Sequence, residues 1–400
     1  MERVSKRACR IAPSLTLALT ARGKKMKEEG IDVVSFGAGE PDFNTPSYIN
    51  DKAKEALDKG FTKYTASSGM PELRKAIVAK LLKDNGLEYA PNQIVVSNGA
   101  KHSLYNALSA LINPGDEVLI PAPYWLTYPE LISLCEGVPR VLPTKAADDF
   151  KITPAQLEKA ITKKTKAIIL NNPSNPTGTV YSEAELKALA AVIEKAEIYV
   201  IADEIYEKLI YDGLTPYSIA SYSATLKNNT VLVNGLSKTY SMTGWRIGYT
   251  ASAKDIAEAM DNMQSHTTSN PNSIAQYASV AAIVDPAGGE FLQELKTTFE
   301  RRRNLAVGLL EGMKPLTYVR PQGAFYVMVG IENLVGKTYA GKTVSTAADF
   351  ADLLVEHAKV VTVPCEAFGS SMHIRLSYAI ADAQIEKGLN RIKEFVSRLQ

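Results

Sequence analysis

A lysine that could form a covalent bond follows a run of apolar residues in this 400-residue chain. Thr230 to Val233 is typical of a buried strand, and Ser237-Lys238 come shortly after it. Ligands of open α/β sheets gather at the carboxyl ends of the strands. A lysine at that edge can be an ordinary solvated residue at the end of a strand. Once its pKa is lowered, its amine can instead act as a nucleophile and carry protons.

Polar side chains follow two further apolar runs. Asp203 ends the apolar run that begins at Tyr199. A buried carboxylate at that position needs a partner; the alternative is that Asp203 caps the start of a helix. Asn171-Asn172 and Asn175-Pro176-Thr177-Gly178 follow the run Ile168 to Leu170. A plain turn explains the proline and the glycine, but it does not explain so many amides at the end of one strand.

Apolar runs alternate with helical patterns from about residue 46 to residue 285. Runs without polar alternation are typical of strands buried on both faces, and their alternation with helices predicts an α/β domain with a mostly parallel sheet. The C-terminal quarter mixes long helices with short strands, which predicts a smaller α+β domain. We expect an N-terminal arm and first part of the small domain at 1–45, a large domain at 46–288 and a C-terminal small domain at 289–400.

Charge and cysteine content exclude several classes of protein. The 45 basic and 43 acidic residues give a formal net charge of +2, which excludes a strongly basic nucleic-acid-binding domain. Three cysteines and four histidines lack the spacing of a disulfide framework or a metal site. The segment 3–21 imitates a signal peptide, but Pro13, Ser14, Thr16 and Thr20 interrupt its apolar core. No apolar run approaches ~18 residues, so we expect a cytoplasmic protein without a membrane span.

Short motifs occur in a fixed order along nearly the whole chain. They are Gly37-Ala38-Gly39-Glu40-Pro41-Asp42, Tyr64, Gly99-Ala100-Lys101, Pro123-Tyr124-Trp125, Asn175-Pro176-Thr177-Gly178, Asp203-Glu204-Ile205-Tyr206, Ser237-Lys238, Gly244-Trp245-Arg246-Ile247-Gly248 and Arg375-Leu376-Ser377. Together they resemble the class I pyridoxal-phosphate aminotransferases of fold type I, and bacterial aspartate aminotransferases of subgroup Ib most of all. The resemblance implies a large cofactor-binding domain with a mostly parallel seven-stranded sheet between helices, and a smaller α+β domain.

The resemblance also implies the residues that act on the cofactor ring. Lys238 would bind the aldehyde of pyridoxal 5′-phosphate and then move a proton as general acid and base. Asp203 would pair with the protonated pyridine nitrogen, so that the ring can accept electrons. Asn175 and Tyr206 would hydrogen-bond the phenolic oxygen of the cofactor, and Trp125 would stack on its ring.

The cofactor phosphate is expected at a helix N-terminus. The backbone amides of Gly99-Ala100-Lys101 would bind it, because the first amides of a helix lack partners within the helix. Arg246 and Ser237 would add side-chain contacts, and Tyr64 would reach the phosphate of the partner subunit in a homodimer with shared active sites. Many relatives have serine at the position of Gly235, so Ser237 is the expected source of the hydroxyl.

Proline residues beside the predicted site lead to a prediction about the backbone. The Ala122–Pro123 and Asn175–Pro176 bonds are expected to be cis, although only ~5% of X–Pro bonds are. Both bonds flank side chains that are aimed at the cofactor, and the family has cis bonds at matching positions.

Arg375 is the expected ligand of the substrate α-carboxylate. Its place between His373-Ile374 and Leu376 favours an inward, paired guanidinium over a surface charge. Asn175 and the backbone of Gly39 would assist it.

The distal carboxylate of an acidic substrate needs a second cation. In the better-known subgroup this is an arginine, but the matching residue here is Ser265. We expect Lys101 to replace it, with Ser14 and Thr16 completing the pocket. The alternative is that Lys101 only supplements the phosphate contacts.

The resemblance implies ping-pong exchange of the amino group between L-aspartate and 2-oxoglutarate, with small amino and keto acids as the partners. A prephenate or other aromatic transaminase and a carbon–sulfur lyase stay open, because all of them have the same cofactor motifs. An inactive aminotransferase-like regulator is disfavoured by the presence of Lys238, Asp203 and Arg375. A nicotinamide-dependent dehydrogenase is disfavoured because Gly37-Ala38-Gly39 lacks the third glycine of the Rossmann motif.

Overall fold

A computed structural model describes residues 3–13 and 15–400. Its helices are α1 Lys6–Cys9, α2 Leu15–Glu28, α3 Ser47–Asp58, α4 Pro71–Asn85, α5 Ala100–Leu111, α6 Thr127–Leu134, α7 Pro154–Ala160, α8 Glu183–Ala196, α9 Ala224–Asn229, α10 Lys254–Thr267, α11 Ser273–Val284, α12 Ala287–Glu311, α13 Ala347–Leu353 and α14 Asp382–Ser397. Its strands are β1 Val34–Ser35, β2 Ile94–Ser97, β3 Glu117–Ala122, β4 Val138–Pro143, β5 Thr165–Asn171, β6 Tyr199–Asp203, β7 Thr230–Gly235, β8 Gly248–Ala251, β9 Thr317–Tyr318, β10 Tyr326–Gly330, β11 Thr338–Tyr339, β12 Lys342–Thr343, β13 Val360–Val361, β14 Val363–Pro364 and β15 His373–Ser377.

Seven strands form the central sheet in the order β2-β8-β7-β6-β5-β3-β4. Neighbouring strands are parallel except in the two pairs that include β8. Because β2 and β7 both run antiparallel to β8, the carboxyl ends of the other six strands lie at one edge, and β8 begins there. The predicted mostly parallel seven-stranded sheet is confirmed.

Both faces of this sheet are buried, which explains the apolar runs. Successive side chains of a strand point to opposite faces. In β5, Ile168 and Leu170 belong to an apolar cluster that α8 covers, and Ile169 belongs to a second cluster, covered by α5 and α10. The capping box of Ser182 and Glu185 begins α8, with the Ser182 amide 2.7 Å from the Glu185 carboxylate.

A second, antiparallel sheet has the order β14-β15-β10-β9 and packs with α12 and α14. The N-terminal strand β1 pairs with β13, so residues before α3 join the C-terminal part of the chain, as the sequence predicts. The boundaries at 45/46 and 288/289 stay a prediction.

Edge strand β4 was not singled out from the sequence. It contains Pro139 and Pro143 and is largely exposed, as befits an edge strand, where proline is tolerated. Among the helices of residues 3–13 and 15–400, none combines the length and the apolar character needed to cross a membrane.

Candidate active site

A cavity of about 340 Å³ opens at the edge of the central sheet where the parallel strands end. Its wall contains twelve of the fifteen predicted site residues: Thr16, Gly39, Ala100, Lys101, Trp125, Asn175, Asp203, Tyr206, Ser237, Lys238, Arg246 and Arg375. The elements that supply them include α2, α5, β6 of the central sheet and β15 of the second sheet, so both sheets contribute residues to the cavity wall.

Lys238 lies just beyond the end of β7, with its amine in the cavity. Its Nζ donates a hydrogen bond to the backbone oxygen of Gly39 at 2.5 Å. Burial lowers the pKa of Lys238 to about 8, with the nearby Glu40 carboxylate opposing this shift. The amine is therefore much closer to losing its proton at neutral pH than an ordinary lysine.

Asp203 ends β6 and is 3% exposed. Tyr128 donates a hydrogen bond to its carboxylate at 2.6 Å, and the amide of Ile205 donates a second at 3.3 Å. Burial raises the pKa of Asp203 to about 6 despite these bonds. A cation beside this carboxylate would offset the cost of its burial.

Tyr206 and Tyr326 meet at the floor of the cavity. Their hydroxyl oxygens are 3.1 Å apart, and both side chains are buried. Burial raises the pKa of the Tyr206 hydroxyl well above its usual range, so Tyr206 stays protonated and able to donate.

The start of α5 has the features of an anion-binding site. The helix begins after Gly99, whose φ is +84° and which has no side chain that could cap the first amides. A Cβ at Gly99 would collide with the guanidinium of Arg246. The absence of that atom lets Arg246 reach across the helix start, where its Nη2 donates to the backbone oxygen of Asn98 at 3.3 Å. Exposed amides and a guanidinium together favour a phosphate.

Ser237 also faces this cavity, whereas Gly235 does not line it. A Cβ at Gly235 would lie 2.9 Å from the backbone oxygen of Ile247. A serine there would therefore need the β7–β8 backbone to move, which gives a physical reason for the departure from other relatives.

Lys101 and Trp125 form one wall of the cavity. The Nζ of Lys101 lies 4.9 Å from the centre of the Trp125 ring. Burial, together with the charge of Arg246, lowers the pKa of Lys101. The Trp125 ring meets Tyr128 edge-on at 5.5 Å, which fixes its orientation.

Arg375 lies in the middle of β15 and is 2% exposed. Its guanidinium donates to the side-chain oxygen of Asn175 at 3.0 Å and to the backbone oxygen of Gly37 at 3.4 Å. The rings of Tyr326 and Phe368 lie 4.4 and 5.2 Å from its central carbon. Within residues 3–13 and 15–400 no carboxylate forms an ion pair with it, so a buried positive charge faces the cavity without a counterion.

Both predicted cis bonds are confirmed, at Ala122–Pro123 and Asn175–Pro176. The structure has a third cis bond, Asn172–Pro173, which the sequence analysis did not predict.

Three predicted site residues are not in the cavity wall. Gly99 lies directly behind it, as the residue before α5. Tyr64 is 90% exposed and does not line the cavity. Ser14 lies outside the described residues.

Tyr128, Tyr326 and Thr243 also line the cavity but were not predicted as site residues, and Asn171 was noted only as one of the amides at the end of a strand. Tyr128 follows Trp125 by three residues at the start of α6, so helical spacing could have indicated it. Nothing local distinguishes Tyr326 from its apolar neighbours in β10.

Comparisons with known proteins agree with this geometry. A family model described as aminotransferase class I and II matches residues 31–392. An aspartate aminotransferase of Geobacillus stearothermophilus is 46% identical over 394 residues, covering 98% of this chain and 99% of that protein. An aspartate/prephenate aminotransferase of Cereibacter sphaeroides is 45% identical over 98% of both chains. The crystal structure of the aspartate aminotransferase from Rhizobium meliloti superposes with a TM-score of 0.96 at 42% identity, covering 100% of both chains.

Proposed function

The chain belongs to the class I and II aminotransferases, and we propose that it exchanges the amino group between L-aspartate and 2-oxoglutarate, giving oxaloacetate and L-glutamate. The observation that carries this proposal is the buried guanidinium of Arg375, which forms no ion pair with a carboxylate among the described residues and faces the same cavity as Lys238. An amino acid placed there would bring its carboxylate to Arg375 and its reacting carbon toward the amine.

Pyridoxal 5′-phosphate is the cofactor of this family, and when bound it supplies an electron sink for the substrate carbanion. The cavity offers a partner for the ring nitrogen, the phosphate and the aldehyde of the cofactor. Asp203, whose pKa burial raises, would gain from the cationic ring nitrogen. The first amides of α5 with Arg246 and Ser237 would hold the phosphate. Lys238 offers an amine whose lowered pKa suits attack on an aldehyde.

The remaining residues orient the reactants and move protons. Lys238 would carry the proton between the substrate carbon and the cofactor, because its amine lies between the carbonyl of Gly39 and the ends of the parallel strands. Tyr206 and Asn175 would donate hydrogen bonds to the phenolic oxygen. Trp125 would cover one face of the ring and exclude water from it.

Lys101 supports the assignment of an acidic substrate. Its amine lies beside Trp125 and close enough to Arg246 for their charges to repel. An added carboxylate would relieve this repulsion. The competing function, a prephenate or aromatic transaminase, is favoured by the name of the Cereibacter sphaeroides relative, and it needs the same cofactor contacts.

We further propose a homodimer in the cytoplasm. Tyr64 supports the dimer, since an aromatic side chain that is 90% exposed in the single chain gains by burial in an interface. The free thiols of Cys9, Cys135 and Cys365 support a reducing compartment.

A panel of amino donors and keto acceptors tests the proposed function. The purified protein with pyridoxal phosphate is expected to give its highest kcat/KM with aspartate and 2-oxoglutarate, and aspartate is expected to shift the visible absorption of the bound cofactor. Lys238→Ala is the control, and it should lower the rate about a thousandfold or more. Higher kcat/KM with prephenate or phenylalanine than with the dicarboxylates would favour the competing function.

A further inference from the structure

Arg302 joins α12, α14 and the segment before α3, which contributes Gly37 and Gly39 to the cavity wall. It lies in α12, and its side chain is 9% exposed. Its two terminal nitrogens donate to the two carboxylate oxygens of Asp42 at 2.7 and 2.9 Å. Its Nε donates to Asp382, the first residue of α14, at 3.1 Å. A planar guanidinium that uses two of its edges in this way restricts the position of both partners.

Asp42 belongs to the segment 36–46, which links β1 to α3 without regular secondary structure. Two backbone oxygens of this segment contact the proposed catalytic groups. Gly39 accepts the hydrogen bond of Lys238 at 2.5 Å, and Gly37 accepts that of Arg375 at 3.4 Å. The backbone of Phe36 bonds Val361 and Ser377, but the segment forms neither a strand nor a helix, so side-chain contacts contribute to its position.

Side-chain hydrogen bonds connect the segment 36–46 to the loop between β7 and β8. Thr243 donates to the Glu40 carboxylate at 2.6 Å, and Trp245 donates to the hydroxyl of Thr45 at 3.0 Å. Within the described residues, Asp42 with Arg302 is the one ion pair that the segment forms. It links the segment to α12 directly and, through Arg302, to Asp382 of α14, beside the packing of Phe43 on Phe299 of α12.

Packing adds to the ion pair. The guanidinium carbon of Arg302 lies 6.0 Å from the ring of Phe43 and 5.9 Å from that of Phe299. Phe43 meets Phe299 edge-on at 5.9 Å. Aromatic rings therefore cover the guanidinium, while the Asp42 side chain is 33% exposed and water partly screens the ion pair.

We propose that Arg302 is a positioning residue for the reaction: through Asp42 it holds the segment 36–46 so that the carbonyls of Gly37 and Gly39 stay in contact with Arg375 and Lys238. The inference rests on the proposed function, because it assigns the segment to the binding of the amino-acid substrate. Arg302 itself does not line the cavity.

Hydrogen exchange and kinetics of the holoenzyme test this role together. The variants are Arg302→Met, Arg302→Lys, Asp42→Asn and the double variant Arg302→Met with Asp42→Asn. Arg140→Met is the matched control, since Arg140 forms an exposed ion pair with Glu117 at the far edge of the central sheet. Amide exchange is measured by mass spectrometry in the segment 36–46 and, for comparison, in β5 and β6.

Arg302→Met is expected to speed exchange in the segment about tenfold, with β5 and β6 unchanged, and to lower kcat/KM for aspartate about tenfold, mainly through KM. Arg302→Lys should change both exchange and kcat/KM less than Arg302→Met does. The double variant should speed exchange and lower kcat/KM no more than Arg302→Met alone, because both substitutions break the same contact between Arg302 and Asp42. Arg140→Met should match the wild type.

Unchanged exchange in the segment, or an increase equal to that in β5 and β6, would overturn the proposal and leave Arg302 a purely structural residue. A double variant whose effects equal the sum of the effects of the two single variants would also overturn the proposal. A wild-type protein that transaminates no amino acid would instead contradict the proposed function, and the exchange data would still report on the contact of Arg302 with Asp42.

Discussion

The guanidinium of Arg375 lies 3.0 Å from the side-chain oxygen of Asn175, although 200 residues separate them along the chain. Asn175 follows β5 of the central sheet, and Arg375 is in β15 of the second sheet. This bond therefore joins the two sheets at the floor of the cavity. It also aims the guanidinium while leaving its Nε without a hydrogen-bond partner in the described structure.

Replacement of Arg375 by leucine should weaken the binding of every amino-acid substrate. The α-carboxylate would lose a bidentate, charge-assisted contact of about 3 kcal/mol, which is about two decades in kcat/KM. Steady-state kinetics with aspartate and alanine should show equal losses, while the visible absorption of the bound cofactor stays as in the wild type. Arg320→Leu, which changes an exposed arginine that bonds Asn304, is the control. An equal loss in that variant would contradict the assignment.

Lys101→Ser should separate acidic from neutral substrates. If Lys101 binds the distal carboxylate, kcat/KM for aspartate should fall by one to three decades, on the order of 1.4–4 kcal/mol. Alanine has no distal carboxylate and should be affected far less. An equal loss for both donors, with weaker retention of pyridoxal phosphate, would assign Lys101 to the phosphate instead.

Asp203 should make the stability of the cofactor-free protein depend on pH. Burial raises the pKa of Asp203 from 3.8 to about 6, so the folded state binds this proton more tightly than the unfolded state. The resulting stability is complete below pH ~4 and is lost as the pH rises through ~6, by about 3 kcal/mol for two pKa units.

Urea unfolding at pH 4 and pH 7 measures this effect. Between the two values the wild type should lose about 3 kcal/mol more than Asp203→Asn, which cannot titrate at this position. Equal losses in the two proteins would show that Asp203 has an ordinary pKa in the folded state.

Subunit mixing should reveal shared active sites. A heterodimer of a Lys238→Ala chain and a Tyr64→Phe chain has one site with both native residues, if Tyr64 serves the partner's site. Equal mixing should therefore raise the activity several-fold, to about a quarter of the wild-type value, because half of the dimers are mixed and each has one intact site. A fully active monomer in sedimentation, or no gain on mixing, would contradict the shared site.

Much of the site could be predicted from short stretches of sequence. Lys238 and Asp203 each follow an apolar run, and the runs are β7 and β6 of the structure. Parallel strands place their carboxyl ends at one edge, so local patterns and one rule of topology are enough to bring these side chains together. The cis bonds and Arg375 came from the resemblance of ordered motifs, and the structure agrees with both.

Other features depended on the tertiary structure. The sequence by itself determined the alternation of strands and helices, the polar residues at the ends of β5, β6 and β7, and the family, because these follow from periodicity and from motifs a few residues long; it did not single out edge strand β4. Only the folded chain decided that Tyr128 bonds Asp203, that Arg375 bonds Asn175 and that Arg302 holds Asp42. Each of these facts concerns groups that are 75 or more residues apart. Their contact, and the burial that shifts the pKa of Asp203 and Lys238, arise from tertiary packing between distant parts of the chain rather than from any local pattern.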